Sequence, residues 1–385
     1  MPDGNETTTV KVVGGIDEVD AAQWDACAGA DNPFLSHAFL KALEESGSAS
    51  AETGWQPRHL IIEDADGRIA ACAPAYLKSH SQGEYVFDWG WADAFHRAGG
   101  HYYPKLQCAV PFTPVTGPRL LLRPGAPDRL RPSLGLAMAQ LCEQDGLSSA
   151  HITFPDERDW RSLVDQGFLA RVGLQFHWEN RGYGSFDDFL ADLSSRKRKA
   201  IRKERAQVAE TDLRFEIATG SDLTEDHWDT FYAFYCDTTG RKWGEAYLTR
   251  TFFSLLGERL ADRVALVLAR RPDGRAVGGA LNLIGTDRLY GRYWGCLADY
   301  KFLHFEACYY RAIDFAIERG LNWVEAGAQG HHKLQRGYLP RLTYSAHLIR
   351  HQGFRSAVAR FLEAEREEVE NGLKALLADS PFKQG

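Results

Sequence analysis

The sequence predicts a mixed α/β fold made of two copies of one unit, and three observations predict it. First, two segments share one pattern. Leu60-Ile-Ile-Glu-Asp-Ala-Asp66-Gly67-Arg68 leads through Leu77 to Trp89-Gly90, and Ala265-Leu-Val-Leu-Ala-Arg-Arg-Pro-Asp273-Gly274-Arg275 leads through Leu281 to Trp294-Gly295. Each reads as an apolar strand, an Asp-Gly hairpin turn, a second strand and then an aromatic strand. Second, each hairpin is followed by a helix that stops at a glycine. Leu134 to Asp145 stops at Gly146, and Ala307 to Arg319 stops at Gly320. Glycine just past a helix end takes the left-handed conformation that closes it. Third, each glycine leads into a strand, His151-Ile-Thr-Phe154 or Asn322-Trp-Val-Glu325.

The remaining elements follow from spacing. Phe186, Phe189, Leu190 and Leu193 keep helical period, and a second helix runs through Ile201 and Val208. Thr224–Cys236 and Leu248–Leu260 read as a helix pair, and Phe354–Leu377 as one charged amphipathic helix. The first copy holds a Pro- and aromatic-rich insertion near residues 91–131, of a length that marks lids and binding loops. The expected division is residues 1–185, a basic helical segment 186–210, and residues 211–385.

Composition narrows the class. The 385 residues are 44% hydrophobic and 12% aromatic, enough for two cores. A net charge of −7 points to neither nucleic acid nor anionic membrane. Seven scattered cysteines without CxxC spacing read as reduced thiols in a cytoplasmic protein. The N-terminus lacks the basic head and apolar core of a signal peptide, and no apolar stretch approaches the ~18 residues of a membrane span.

Two segments concentrate chemistry. Residues 196–205 carry seven Lys/Arg and one Glu, a local charge of +6 in a chain whose remainder is −13. Arg196, Lys197, Arg198, Lys199 and Arg202 are the candidate contacts for phosphates of a cofactor or of RNA, against a solvated helix face. The other segment is Glu325-Ala-Gly-Ala-Gln-Gly-His331-His332-Lys333-Leu-Gln-Arg336-Gly-Tyr338-Leu-Pro340. Its glycines allow sharp turns and close backbone approach, and ionisable groups crowd the end of a strand. Glu325 is either a general base raised by desolvation or a structural partner of Arg336. His331 or His332 is an alternative base, one of the two only, because neighbours in an extended segment point oppositely. Lys333 suits a carbonyl oxygen or a phosphate. No histidine spacing matches a zinc pattern, so no metal is expected.

These motifs resemble the FemAB-like family of N-acyltransferases, a bacterial group with two GNAT-type domains in one chain. The tandem units, the Pro111-Phe-Thr-Pro…Gly117-Pro-Arg119 loop, the Ser194-Ser-Arg-Lys-Arg-Lys helix and the Glu325–Pro340 run carry the resemblance from roughly Asn32 to Arg350. It implies an α/β (α+β) fold of two tandem GNAT-like domains, each a mixed sheet flanked by helices, with the basic helical segment between. It also implies acyl or aminoacyl transfer to an amine, without a tightly bound cofactor. Lys333-Leu-Gln-Arg-Gly337-Tyr338 fits the K-x-x-x-G-aromatic stretch of the Fem-type transferases that draw on transfer RNA.

The candidate catalytic residues are Glu325, His331, His332 and Lys333. Arg292, Trp294, Glu306, Tyr309, Gln329, Arg336, Tyr102, Tyr103 and Lys105 are the candidate substrate contacts. One departure favours a donor borne on RNA or a carrier protein over acyl-CoA. The turn that would hold the CoA pyrophosphate, Leu297 to Glu306, has no glycine, and Arg97-Ala-Gly-Gly in the first copy is a loose substitute. The alternative is an RNA-binding protein on a degenerate transferase scaffold, using helix 196–205.

Overall fold

The computed structural model describes residues 9–242, 245–327 and 330–383. Strands β1 (Lys11–Val13), β2 (Trp55–Pro57), β3 (His59–Glu63), β4 (Ile69–Ala73), β5 (Ala75–Lys78), β6 (Lys105–Cys108), β7 (Leu121–Leu122) and β8 (Ser149–Thr153) come first. They are followed by β9 (Leu169–Glu179), β10 (Arg214–Ala218), β11 (Val264–Arg270), β12 (Ala276–Ile284), β13 (Arg288–Cys296), β14 (Trp323–Glu325) and β15 (Leu339–Ile349). The chain forms two compact units. One comprises Met1–Gly173 with Thr343–Glu368, the other Leu174–Leu342 with Val369–Gly385.

In the first unit, β1, β3, β4 and β7 form one antiparallel sheet. A second sheet pairs β2 with β5, β5 with β6 and β8 with β15 in antiparallel fashion, while β6 and β8 run parallel. Helices α1 (Ala21–Ala28), α2 (His37–Glu45), α3 (Trp89–Arg97), α4 (Leu130–Gln144) and α5 (Glu157–Asp165) belong to this unit. Leu134 and Met138 of α4 pack with Leu106, Ala150 and Ile152 in its core.

The Asp66-Gly67 hairpin forms as expected, with Gly67 at φ 76°. The strand after it is interrupted at Pro74, which lacks a ladder donor, so β4 and β5 join different sheets. The expected aromatic strand at Trp89-Gly90 is instead the start of α3. Trp91 and Phe95 lie one helical turn apart and pack with Val358 and Leu362. The third strand of the copy is β6, inside the span expected to be an insertion.

In the second unit, β10–β11–β12–β13 is an antiparallel meander, β13 and β14 run parallel, and β14 pairs antiparallel with β9. Helices α6 (Phe186–Asp192), α7 (Ser195–Ala209), α8 (Glu225–Lys242) and α9 (Arg250–Leu260) precede the sheet's middle strands. After β13, α10 (Leu303–Phe305), a π-helical turn (Glu306–Tyr310) and α11 (Arg311–Glu318) form one continuous helix. Gly320 ends it at φ 66°, as the sequence predicts. Helix α12 (Gln352–Ala378) carries residues of both units.

Helix α8 lies directly on β13, and the close approach rests on Gly295. A Cβ there would sit 2.2 Å from the Phe234 carbonyl oxygen. Gly295→Ala is therefore expected to destabilise the protein by about 1–3 kcal/mol or more through overpacking. A lowered urea midpoint on circular dichroism checks this, and an unchanged midpoint contradicts it.

Candidate active site

The site grows from the place where β13 and β14 part. Arg288, Leu289 and Tyr290 pair with Trp323, Val324 and Glu325, and beyond Tyr290 β13 continues to Cys296 without β14 beside it. At the same place the β12–β13 register slips. Asn282 opposes Gly291 and Leu281 opposes Tyr293, so Arg292 is an extra, bulged residue. Bulges re-aim side chains and terminate pairing. Gly291 keeps the fork narrow, since a Cβ there would lie 3.2 Å from the Glu325 carbonyl oxygen.

From Glu325 the chain turns through Gly327, at φ 77°, and Gly330, at φ 122°, into a 3-10 helix, His331–Arg336, closed by Gly337 at φ 87°. The histidine pair therefore lies on a helical turn rather than on the extended segment expected, because left-handed glycines bracket it. This turn brings Lys333 back so that its Nζ donates to the Gly327 carbonyl at 2.9 Å. Lys333 is 2% exposed, and burial pushes its pKa down to about 8.

The π turn faces this lysine's helix. Tyr309 Oη and His332 Nε2 are 2.8 Å apart, and burial raises the Tyr309 pKa. Rings of His304, Phe305, Tyr309 and His332 surround one another at 5.3–6.1 Å, and Trp294 adds its ring to His304 at 5.4 Å. The Arg336 guanidinium lies 3.4 Å from the centre of Phe305. π-helical turns recur at functional sites, and this one sets Tyr309 and Tyr310 side by side in the core cluster.

Glu325 belongs to a different group. Val324 packs in the cluster of Tyr309 and Ile313, so strand alternation puts Glu325 on the sheet's other face. Its Oε1 accepts from Arg288 Nη1 at 2.9 Å, and its Oε2 stands 3.9 Å from His177 Nε2 and has no hydrogen-bond partner. Arg336, the partner expected for Glu325, pairs with Glu204 instead. Among the described residues no hydrogen bond or ion pair joins Glu325 to Lys333. Glu306 is likewise an ion-pair acceptor, held by Arg205 at 3.1 Å and Arg311 at 2.8 Å. Gln329 lies outside the described residues, and His331 is placed by its backbone alone. Arg292 stands beside Tyr293, its guanidinium 5.1 Å from the ring centre.

Two residues of this region carried no sequence motif, His177 and Arg288, and Glu204 lay in the basic run without being singled out. Gln175 and His177 are buried polar residues alternating with the core residues Phe176 and Trp178 along β9. That alternation was the available signal for a polar face opposite Glu325.

The basic segment is helix α7. Arg196, Lys199 and Arg202 are exposed, and Lys197 and Arg198 are half-buried. Arg202 pairs with Asp187 at 3.0 Å, and Arg198 reaches the Leu193 carbonyl at 3.3 Å.

Tyr102, Tyr103 and Lys105 fall in the first unit, in a buried polar cluster. Lys105, 0% exposed, donates to Ser81 at 2.9 Å, Glu84 at 2.7 Å and Asp88 at 2.5 Å. Tyr102 donates to Asp88 at 2.7 Å, and Tyr103 shares a hydrogen bond with Ser81. Burial pushes the Glu84 carboxyl up to about 7, while burial's strong upward push on Asp88 is overcome by Lys105, His151 and Ser81 together, which hold it below the carboxylate range. His151 and His347, both with pKa values lowered by burial, are hydrogen-bonded through Nδ1 atoms 2.7 Å apart.

The first unit's own parallel pair, β6 and β8, ends differently from β13 and β14. The loop after β6 folds onto the end of β8. Fully buried Arg119 donates to the carbonyls of Thr153 and Val115 at 3.0 and 2.7 Å, and Gly117 bridges Pro155. Phe112, Thr113 and Val115 of this run are buried. Within the segment read as a lid or binding loop, the Pro111–Arg119 run is packed against the end of β8.

Residues 15–384 match the FemAB-like family, described as acting in peptidoglycan biosynthesis or recognition. The chain belongs to this family. Its fold is two tandem GNAT-like domains. FemX aligns with a TM-score of 0.55 and 12% identity over 89% of this chain and 98% of its own. The C-terminal domain of a putative lysylphosphatidylglycerol synthetase from Agrobacterium fabrum aligns at 0.54 and 11%, over 91% and 97%. A tandem GNAT protein from the clavulanic acid pathway aligns at 0.47 and 11%, over 89% and 98%. Curated protein sequences contain no match to this FemAB-like chain. No helix among the described residues is long and apolar enough to cross a membrane.

One consequence concerns the first unit. Lys105→Met leaves two buried carboxylates without their cation, and a loss of about 3–5 kcal/mol is expected. Chemical denaturation measures it, and Glu84→Gln with Asp88→Asn in the same chain should restore much of the loss.

Proposed function

We propose that this FemAB-like protein is an N-acyltransferase that passes an acyl or aminoacyl group to an amine by direct attack, at the fork between β13 and β14. The observation that carries the reading is Lys333. It is a lysine 2% exposed, with no carboxylate partner among the described residues, held by one backbone carbonyl at the mouth of a strand fork.

Amide formation needs a neutral amine, a fixed acyl carbonyl and a group that stabilises the oxyanion of the tetrahedral intermediate. The acyl donor would lie along β13 beyond the three residues that β14 covers. Lys333, as an ammonium ion in a dry setting, stabilises the oxyanion at the carbonyl carbon. The Tyr309–His332 pair accepts the proton that the attacking amine releases and returns it to the leaving group. Arg292 and Trp294, on the open stretch of β13, line the acyl end. The sequence run adds Gln329 and His331 as further candidate contacts. Glu325, paired with Arg288 on the other face, acts by holding the end of β14 and so the angle of the fork.

The donor is acyl-CoA or an aminoacyl-tRNA. Arg196, Lys197, Arg198, Lys199 and Arg202 on α7 serve its phosphates, which favours the RNA-borne form. Glu306 and Arg336 support the site through their ion pairs, and Tyr102, Tyr103 and Lys105 support the first unit. The acceptor is an amine on a small molecule or peptide.

The pH profile follows. An ammonium with pKa about 8 loses its proton as pH rises, so turnover falls on the alkaline side near that value. Lys333→Met should lower kcat by about a hundredfold or more, the size of losing one oxyanion donor. Lys333→Arg should keep part of the activity and move the alkaline limb out of the range below ~12. An alkaline limb that stays in place in Lys333→Arg contradicts the assignment. Glu325→Gln is expected to weaken donor binding more than kcat, and the reverse would restore it as the base.

A further inference from the structure

The run 196–205 contains a single acid, Glu204, and it lies on the inner side of α7. Ile201 and Val208, one turn before and after it, are buried in the second unit, whereas Arg196, Lys199 and Lys203 are exposed. Arg205 of the run also reaches the π turn, through Glu306, but Glu204 alone in the run joins it to the Lys333 turn as well. Its Oε1 and Oε2 accept from Arg336 Nη2 at 2.8 and 3.0 Å, and its Oε2 also accepts from the Tyr310 hydroxyl.

Both partners lead directly to the candidate site. Arg336 ends the 3-10 turn that carries His332 and Lys333, donates from Nη1 to the His332 carbonyl at 2.8 Å, and lies over Phe305. Tyr310 adjoins Tyr309 in the π turn. One carboxylate thus fixes the two elements whose side chains meet as the Tyr309–His332 pair. Arg336 is 7% exposed, so its charge depends on Glu204 for compensation.

We propose that Glu204 is a positioning residue. Through Arg336 and Tyr310 it locks the Lys333 turn against the π turn, so that the inner face of the basic helix sets the geometry of the site while its outer face carries the exposed cations. The proposal deepens the transferase reading and rests on it for Lys333's role, but its test needs no turnover.

The test is acetylation of Lys333 in the full chain by an N-hydroxysuccinimide ester at a pH near 8, followed by peptide mass spectrometry. Exposed Lys11 is the internal standard. In the native chain Lys333 reacts slowly. Glu204→Gln removes the charge that holds Arg336, and Lys333 labelling should rise about three- to tenfold relative to Lys11, the lower part of the range of couplings within one hydrogen-bonded network. Glu204→Asp, which keeps the charge, should recover part of the protection. Neutralising Arg196, Lys199 and Lys203 together should leave Lys333 labelling unchanged. Should Glu204→Gln fail to fold by circular dichroism, Tyr310→Phe, which removes one hydroxyl, should still raise the labelling.

Labelling that stays at the native value in a folded Glu204→Gln chain, or that rises equally when the outer cations are neutralised, overturns the proposal. Because labelling is read without substrate, an active Lys333→Met enzyme would refute the catalytic role of Lys333 and leave this result standing.

Discussion

β13 and β14 run parallel for three residue pairs and then part, and every feature of the candidate site follows from that fork. The bulge at Arg292 and the absence of a side chain at Gly291 let the strands separate without a gap at the base. The chain leaving Glu325 must then return toward the helix after β13, which it does through two left-handed glycines and a 3-10 turn. That return buries Lys333 with a carbonyl for company, and burial lowers its pKa. A lysine in this state is a cation that a developing negative charge can readily satisfy.

Both copies carry an antiparallel pair leading into a parallel pair, β5–β6–β8 and β12–β13–β14, yet they diverge at this point. In the first unit the end of the parallel pair is sealed by the Pro111–Arg119 run, with Arg119 spending its guanidinium on main-chain carbonyls. In the second, β13 continues in its place. The first unit instead concentrates its ionisable groups around Lys105, where each charge is met by a neighbour and serves to hold the loop of Ser81, Glu84 and Asp88 to the sheet.

Much of this was legible in the order of residues. Asp66-Gly67 and Asp273-Gly274 marked the hairpins, Gly146 and Gly320 the helix ends, and Glu325 the end of a buried strand, because those features depend on local backbone preference. The third strand of the first copy was misplaced because Trp89-Gly90 imitates Trp294-Gly295 locally, while the contacts of Trp91 and Phe95 with residues far along the chain make it a helix. The pairing of Arg336 was missed for a similar reason. Its partner Glu204 lies 132 residues away inside a basic run, and only tertiary packing turns that one acid inward. The π turn also depends on packing that no period in the sequence encodes.

The central claim is that the fork in the second unit receives the acyl donor. Gly291→Leu places a side chain in the fork, where even a Cβ would lie 3.2 Å from the Glu325 carbonyl. The direct measurement is native mass spectrometry of the purified protein for a retained acyl-CoA or acylated RNA, comparing the wild type with Gly291→Leu at matched thermal stability. Retention in the wild type and its loss in Gly291→Leu is the predicted result. Equal retention by both proteins would contradict the account.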